Sequence, residues 1–273
     1  MTTRVRRLGV LAAAVGVLAA VVPGTASATP VITMSGSTSV APLAVKLIKG
    51  YLKAHPHSVQ FTLSQGGSDI GVADVAAGRV SIGNSSRDPK SSDPGGIFFN
   101  KIARDAICLG TNTQNRVGNL SQSQVQDIFS GRIRDWSQVP GATRTGAIDL
   151  IVRTAASGTQ DAFQKLFMIN DKVAGFASQK ASNGLVAAAV KSDPNAIGYL
   201  SYAFTTGIND TAYQGVRCNL RTAKAGVYPG SRNFWMITRG APARGSAVRK
   251  FLHWVQHSPA ANKLIATEWV PLH

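Results

Sequence analysis

The chain has 273 residues, of which 29 are Lys or Arg and 13 are Asp or Glu, a formal net charge of +16, with 44% hydrophobic and 7% aromatic residues. That balance excludes a disordered chain, a collagen-like repeat and a multi-span membrane protein. Twelve of the acids are Asp and one is Glu268, so chemistry built on a carboxylate pair or an acidic metal cage has few candidates.

In chain order, residues 1–28 read as a secretory signal peptide. Arg4, Arg6 and Arg7 form a positive n-region, Leu8 to Val22 is an uncharged apolar run, and Pro23-Gly24 breaks it. Ala26-Ser27-Ala28 then supplies the small residues for cleavage near Ala28. Fifteen residues rise only about 22 Å as a helix, short of a roughly 30 Å bilayer core. No Cys follows the run, so no lipobox is available. The expectation is a secreted or periplasmic protein whose mature part, from Thr29 on, has no transmembrane segment. Without the three leader arginines its net charge is +13. Such a surplus favours an anionic partner. The basic residues are dispersed without a run of five, and nucleic acid is not expected.

Strand and helix signals then alternate, which predicts an α/β architecture of mostly parallel sheets flanked by helices. Val31 to Met34 reads as a strand, and Val40, Leu43, Ala44, Leu47, Ile48 and Tyr51 recur at helical spacing. Gln60 to Ser64 is a second strand, leading into a short helix that ends near Gly78. Val80 to Gly83 and Ala106 to Leu109 are the next strands. Ser121 with Gln124 forms a capping box for a helix that stops at Gly131. Ile148 to Val152 is a strand, and Ser157-Gly158-Thr159 opens a helix carrying Phe163, Leu166 and Phe167. Ile197 to Tyr202 and Phe234 to Thr238 complete the strands, before an amphipathic helix through Val248, Phe251, Leu252 and Val255.

The length suits two lobes, yet no long linker separates the elements. The chain must then cross between lobes at strands, with Asp105 to Thr111 and Arg217 to Leu220 as the crossings. This divides it into lobe 1, residues 29–107 and 217–273, and lobe 2, residues 108–216. Cys108 and Cys218 lie on these crossings in apolar surroundings. In an oxidising compartment they read as a bridge. Closing so long a loop contributes at most about 4 to 5 kcal/mol in the chain-entropy model.

Three segments share one design, a strand, a turn of Gly, Ser and Thr, and a helix start. They are Gly36-Ser37-Thr38-Ser39, Gly66-Gly67-Ser68-Asp69 and Ala156-Ser157-Gly158-Thr159. A helix N-terminus offers unpaired N–H groups and about half a positive charge, which suits an oxyanion. A single such turn is no more than a helix cap. Three of them, with Arg153 at the end of a strand, point to one anion site in which the guanidinium pairs with two oxygens.

In order, the chain carries Gly36-Ser-Thr-Ser-Val-Ala-Pro-Leu43, Gln65-Gly-Gly-Ser68, Ile82-Gly-Asn-Ser-Ser-Arg87 and Asp127-Ile-Phe-Ser-Gly-Arg-Ile133 with Trp136. Then come Ser157-Gly-Thr159, Ala196-Ile-Gly-Tyr199, Tyr228-Pro-Gly-Ser-Arg232 and Trp269-Val-Pro-Leu272. From about Val31 to Leu272 this resembles the phosphate-binding proteins of bacterial ABC phosphate importers. The resemblance implies a type II periplasmic-binding-protein fold, two α/β lobes closing over one inorganic phosphate, and a membrane permease as partner. It places Thr38, Ser39 and Ser68 in the first-lobe half of the site and Arg153, Ser157, Gly158 and Thr159 in the second-lobe half. Many relatives carry an Asp that accepts the phosphate proton where Ser86 stands here; two readings of Asp69 stay open, that acceptor role and a helix-cap or surface role. An acceptor of that kind rejects sulfate, which has no proton to donate. A monomer without cofactor is expected.

Other classes fit less well. There is no Gly-x-Ser-x-Gly elbow, P-loop or Cys-x-x-Cys, so an enzyme is not expected. His253 and His257 have i, i+4 metal-ligand spacing, but without an adjacent Glu they read as an exposed pair, and no metal is assigned. Another tetrahedral oxyanion, sulfate or arsenate, or a secreted protein that binds cell-wall polymers through its basic surface are the alternatives.

Overall fold

The computed structural model describes residues 1–2 and 28–273, so the leader expected at 1–28 lies almost wholly outside the described residues. The first half of the chain forms β1 (Val31–Gly36), α1 (Ala41–Ala54), β2 (Gln60–Leu63), α2 (Ser68–Ala76), β3 (Ile82–Ser85), β4 (Ile97–Thr111), β5 (Asn119–Leu120) and α3 (Gln122–Phe129). The second half forms β6 (Asp149–Arg153), α4 (Gly158–Phe163), β7 (Ser178–Lys180), α5 (Asn183–Ser192), β8 (Ala196–Ser201), β9 (Asn209–Tyr213), α6 (Leu220–Lys224), β10 (Ser231–Arg239), α7 (Ala247–His257) and α8 (Pro259–Ile265). Among the described residues no helix is long and apolar enough to cross a membrane.

One strand organises the sheet. The strand order is β2-β1-β3-β10-β4-β8-β6-β7, with β9 also on β4 and β5 on β9. Over Ile97–Ala106, β4 pairs antiparallel with β10, and from Ile107 to Thr111 it pairs antiparallel with β8. The partner therefore changes between Ala106 and Ile107. Pairs β1–β2, β1–β3, β5–β9, β6–β7 and β6–β8 are parallel, and the antiparallel pairs all involve β4 or β10. This is a mixed α/β architecture in which the parallel units lie outward of the shared strand.

A separate core packs on each side of that change. One gathers Ile32, Met34, Leu43, Leu47 and Ile82 with Phe234, Phe251 and Trp269. The other gathers Leu109, Ile128, Phe129, Trp136, Phe163, Phe167 and Tyr199. Cys218, Ala223 and Tyr228 still pack in this second core, and Phe234 is in the first. The chain thus returns between Tyr228 and Phe234, some ten residues beyond the Arg217 to Leu220 crossing expected from sequence. The turn at Tyr228-Pro-Gly-Ser231, with the Tyr228 hydroxyl donating to the Ile107 carbonyl at 2.8 Å, fixes that return. Cys108 and Cys218 form the expected disulfide, with Cα atoms 5.5 Å apart.

Local chemistry explains the element ends. Ser121 and Gln124 form the anticipated capping box, and Gly131 takes the left-handed φ of +79° just beyond α3. Beyond Phe163 the helix continues as a π-helical turn, Gln164–Met168. The longest departure from the sequence reading is β4, with 15 residues where four were expected. Its first half carries Asn100, Lys101 and Arg104 among half-exposed positions. Such a segment reads as a loop until the distant β10 supplies its hydrogen-bond partner.

Candidate functional site

The three Gly/Ser/Thr turns meet. β1 and α1 position Ser37, Thr38 and Ser39, the start of α2 positions Ser68, and the end of β3 positions Ser86. The end of β6 positions Arg153, and the start of α4 positions Ser157, Gly158 and Thr159. Each of these side chains is buried. Ser37 Oγ donates to Ser86 Oγ at 2.9 Å, and Ser68 Oγ shares a hydrogen bond with Ser86 Oγ at 3.3 Å. Across the gap, Ser39 Oγ and Thr159 Oγ1 share a hydrogen bond of 2.9 Å. Arg153 Nη2 donates to Thr38 Oγ1 at 3.1 Å.

The approach is backbone-close. The Asp69 N–H donates to the Ala156 carbonyl at 3.1 Å, joining the second turn directly to the third. Gly67 adopts a φ of +112°, and a Cβ there would sit 2.6 Å from the Ala156 oxygen. A Cβ on Gly158 would collide with Ser68 Oγ. Glycine is required at both positions because the two sides touch there.

The helix starts differ from those elsewhere in the molecule. α1 and α2 begin at Val40 and Gly67 with no side-chain cap, and Pro42 occupies the first turn of α1. Away from the cluster, Ser121, Asn219, Ser246 and Ser258 all cap their helices through side-chain oxygens, and Ser182 does so for α5, which begins beside the cluster. Ser157 is in between, because its hydroxyl accepts from the N–H groups of Thr159 and Gln160 at 3.1 and 3.4 Å and so caps α4 itself. Withholding caps leaves positive helix ends turned toward the cluster.

Asp69 is the sequence-selected residue that the cluster does not take in. Its carboxylate turns to Arg87 Nε at 2.6 Å and stays 40% exposed. Ser86 occupies the remaining position expected for a proton acceptor, and its hydroxyl is held between Ser37 and Ser68.

Sequence reasoning missed three buried residues. Arg232, at the start of β10, donates from Nη1 to Thr159 Oγ1 at 2.8 Å. Its Nε and Nη2 both bond Asp105 Oδ2, at 2.9 and 2.8 Å, while the Ser201 hydroxyl donates to Asp105 Oδ1. Burial pushes the Asp105 carboxyl up and the Arg232 guanidinium down, and each partner's charge pulls back against it. Asn183, the first residue of α5, donates to Ser39 Oγ at 2.7 Å and accepts from the Ser201 N–H. A signal for Asn183 was present, since Lys180-Ala-Ser-Asn-Gly184 repeats the strand, small polar turn and helix design of the other segments.

Arg153 differs from its buried neighbours. Nε and Nη2 donate to the carbonyls of Lys180 and Ala181, at 3.1 and 2.9 Å. Nη1 is buried and has no hydrogen-bond partner, and among the described residues no carboxylate pairs with this side chain. Burial, and then the nearby Arg232 charge, push its pKa down to about 10. The cluster therefore holds many neutral donors and one uncompensated positive charge. Chemically that arrangement suits a small dehydrated anion. For a metal, one group of described residues, Cys108, Asp210 and Cys218, brings ligand atoms within 4.8 Å of one another. Its two sulfurs are already joined to each other.

Residues 23–259 match the family model of the PBP superfamily domain. The phosphate-binding protein PstS of Bacillus subtilis is 26% identical over 247 residues, spanning 88% of this chain and 80% of the relative. A putative phosphate ABC transporter substrate-binding protein of Clostridium perfringens, solved with bound phosphate, superposes with a TM-score of 0.82 at 25% identity. That match covers 89% of this chain and all of the other. An ABC-type phosphate transport receptor of Vibrio cholerae gives a TM-score of 0.71 at 26% identity, covering 88% and 99% of the two chains.

Proposed function

The chain belongs to the PBP superfamily, and we propose that it binds inorganic phosphate outside the cytoplasm and delivers it to the membrane permease of an ABC importer. The observation that carries this reading is Arg153, a buried guanidinium with one nitrogen unpartnered and no carboxylate beside it. A buried charge without a counter-ion is costly by several kcal/mol, and an anion is what relieves it. The kinship to proteins named for phosphate binding supplies the identity of that anion.

Binding is reversible and non-covalent. Thr38, Ser39, Ser68 and Thr159 give hydroxyls, the N-termini of α1, α2 and α4 give N–H groups and positive potential, and Arg153 gives charge. Ser37 and Ser157 act one step back by organising their turns, and Gly158 allows the close approach. The two cores act as the two lobes, hinged where β4 changes partners and where the chain returns after Tyr228. Their contacts across the cluster describe the closed form, which a permease would recognise. The leader at 1–28 supports export, and a monomer suffices for this role.

Calorimetric titration of the untagged protein with phosphate, sulfate and arsenate at two pH values tests the proposal. Phosphate is expected to bind at micromolar Kd or tighter, about −8 kcal/mol or more, and more tightly than sulfate. Equal or tighter sulfate binding would remove phosphate as the ligand, and no binding of any of the three would remove the anion site.

A further inference from the structure

All five histidines of the chain, His55, His57, His253, His257 and His273, lie on three short segments. The structure brings four of them to two adjoining grooves that share no residue with the cleft. His253 and His257 stand one turn apart on α7, both exposed, with ring centroids 4.7 Å from each other. His55, at the end of α1, lines the same groove of about 600 Å³, its ring against Tyr51 at 4.6 Å. His257 also lines a second groove with His273. Residues four apart on a helix face the same way, so their imidazoles can offer two nitrogens to one ion.

We propose that this end of the molecule is a binding site for a divalent transition metal, with His253 and His257 as the clamp and His55, which lines the same groove, as an auxiliary ligand. Imidazole nitrogens select copper(II), zinc(II) or nickel(II) over the oxygen-seeking magnesium and calcium. The groove supplies no carboxylate, and Arg249 and Lys250 stand on its wall. Their charge opposes any cation, which further disfavours ions that depend on electrostatic attraction alone. A metal held by two or three neutral nitrogens keeps open positions, and the neighbouring cations draw small anions into them.

The site is independent of the proposed phosphate function and is tested separately from it. Zinc(II) and copper(II) are titrated calorimetrically into the untagged protein in phosphate-free buffer, with magnesium as control. Saturable binding at one equivalent is expected for zinc and copper but not for magnesium. His253→Ala and His257→Ala should each weaken it at least about tenfold, and His55→Ala by a smaller factor. Arg153→Ala should leave metal binding unchanged. The side chains replaced are exposed, so folding is not at stake. Absence of saturable binding, or binding that survives both His253→Ala and His257→Ala, overturns the proposal.

Discussion

Two buried arginines reach the cluster, Arg153 donating to Thr38 and Arg232 to Thr159, and live under different rules. Arg232 holds Asp105 through two nitrogens, and that carboxylate is itself fully enclosed and bonded to Ser201. Arg153 is equally buried but is tied only to carbonyls and to the Thr38 hydroxyl, with Nη1 left over. A third case sharpens the contrast, since buried Arg87 holds two carboxylates, Asp69 and Asp93, each at 2.6 Å. There burial works against the charge, but the two acids outweigh it and hold Arg87 above its ordinary range. Charge that serves the fold is paired within the fold. The charge left unpaired is the one available to a ligand.

The largest effect that can break this comparison is at Asp105. Asp105→Ala would leave Arg232 buried without a counter-charge, and removing one partner of a buried pair costs about 3 to 5 kcal/mol. Urea unfolding should show a loss of that order. A loss below about 1 kcal/mol would mean that Arg232 is no more dependent on its carboxylate than Arg153, and the distinction would fail.

The next effect has two opposite signs in one variant. Burial, and then the Arg232 charge, lower the Arg153 pKa to about 10, so at any pH below about 10 the fold works against the charged form. The displacement corresponds to something on the order of 3 kcal/mol. Arg153→Met keeps the volume and removes the charge. It should weaken phosphate by 2 kcal/mol or more, about thirtyfold, while raising the stability of the ligand-free protein by about 1 kcal/mol once the lost carbonyl bonds are allowed for. A variant that loses both affinity and stability would show that Arg153 is a structural residue after all.

Arg153 was legible in the sequence because the strand end and the Ser-Gly-Thr turn after it are local signals. The three turns were legible for the same reason. Their convergence rests on pairings such as β1 with β3 and β6 with β8, and the alternation of strands and helices made those foreseeable. Arg232 and Asp105 were not. They sit 127 residues apart, each inside a strand, and nothing local marks either as more than surface charge. The same non-local pairing of β4 with β10 hid most of β4. Asp69 left two readings open for a similar reason, since its partner Arg87 lies 18 positions on. Local turn chemistry is readable from composition, whereas the assignment of counter-charges depends on which strands become neighbours.

The smallest effect concerns an acid that mirrors Arg153. Asp210, on β9 beside the Cys108–Cys218 bridge, has a buried Oδ1 without a hydrogen-bond partner. Burial pushes its pKa up to about 6, with the Arg217 charge pulling the other way. A carboxyl can escape an unpaired charge by keeping its proton, an exit that a guanidinium lacks near neutrality. The sign follows from that. A carboxyl raised in the folded state favours its neutral form, so its contribution to stability is complete below the unfolded value near 3.8 and is lost as pH rises through about 6. Asp210→Asn stays neutral throughout, and its stability relative to the parent should therefore improve between pH 4 and pH 7. Because the residue is partly exposed, the gain is discounted to about 1 kcal/mol. Urea midpoints of the two proteins at both pH values measure it. A difference that does not change with pH would show that Asp210 already has a counter-charge, and the contrast would then apply to Arg153 alone.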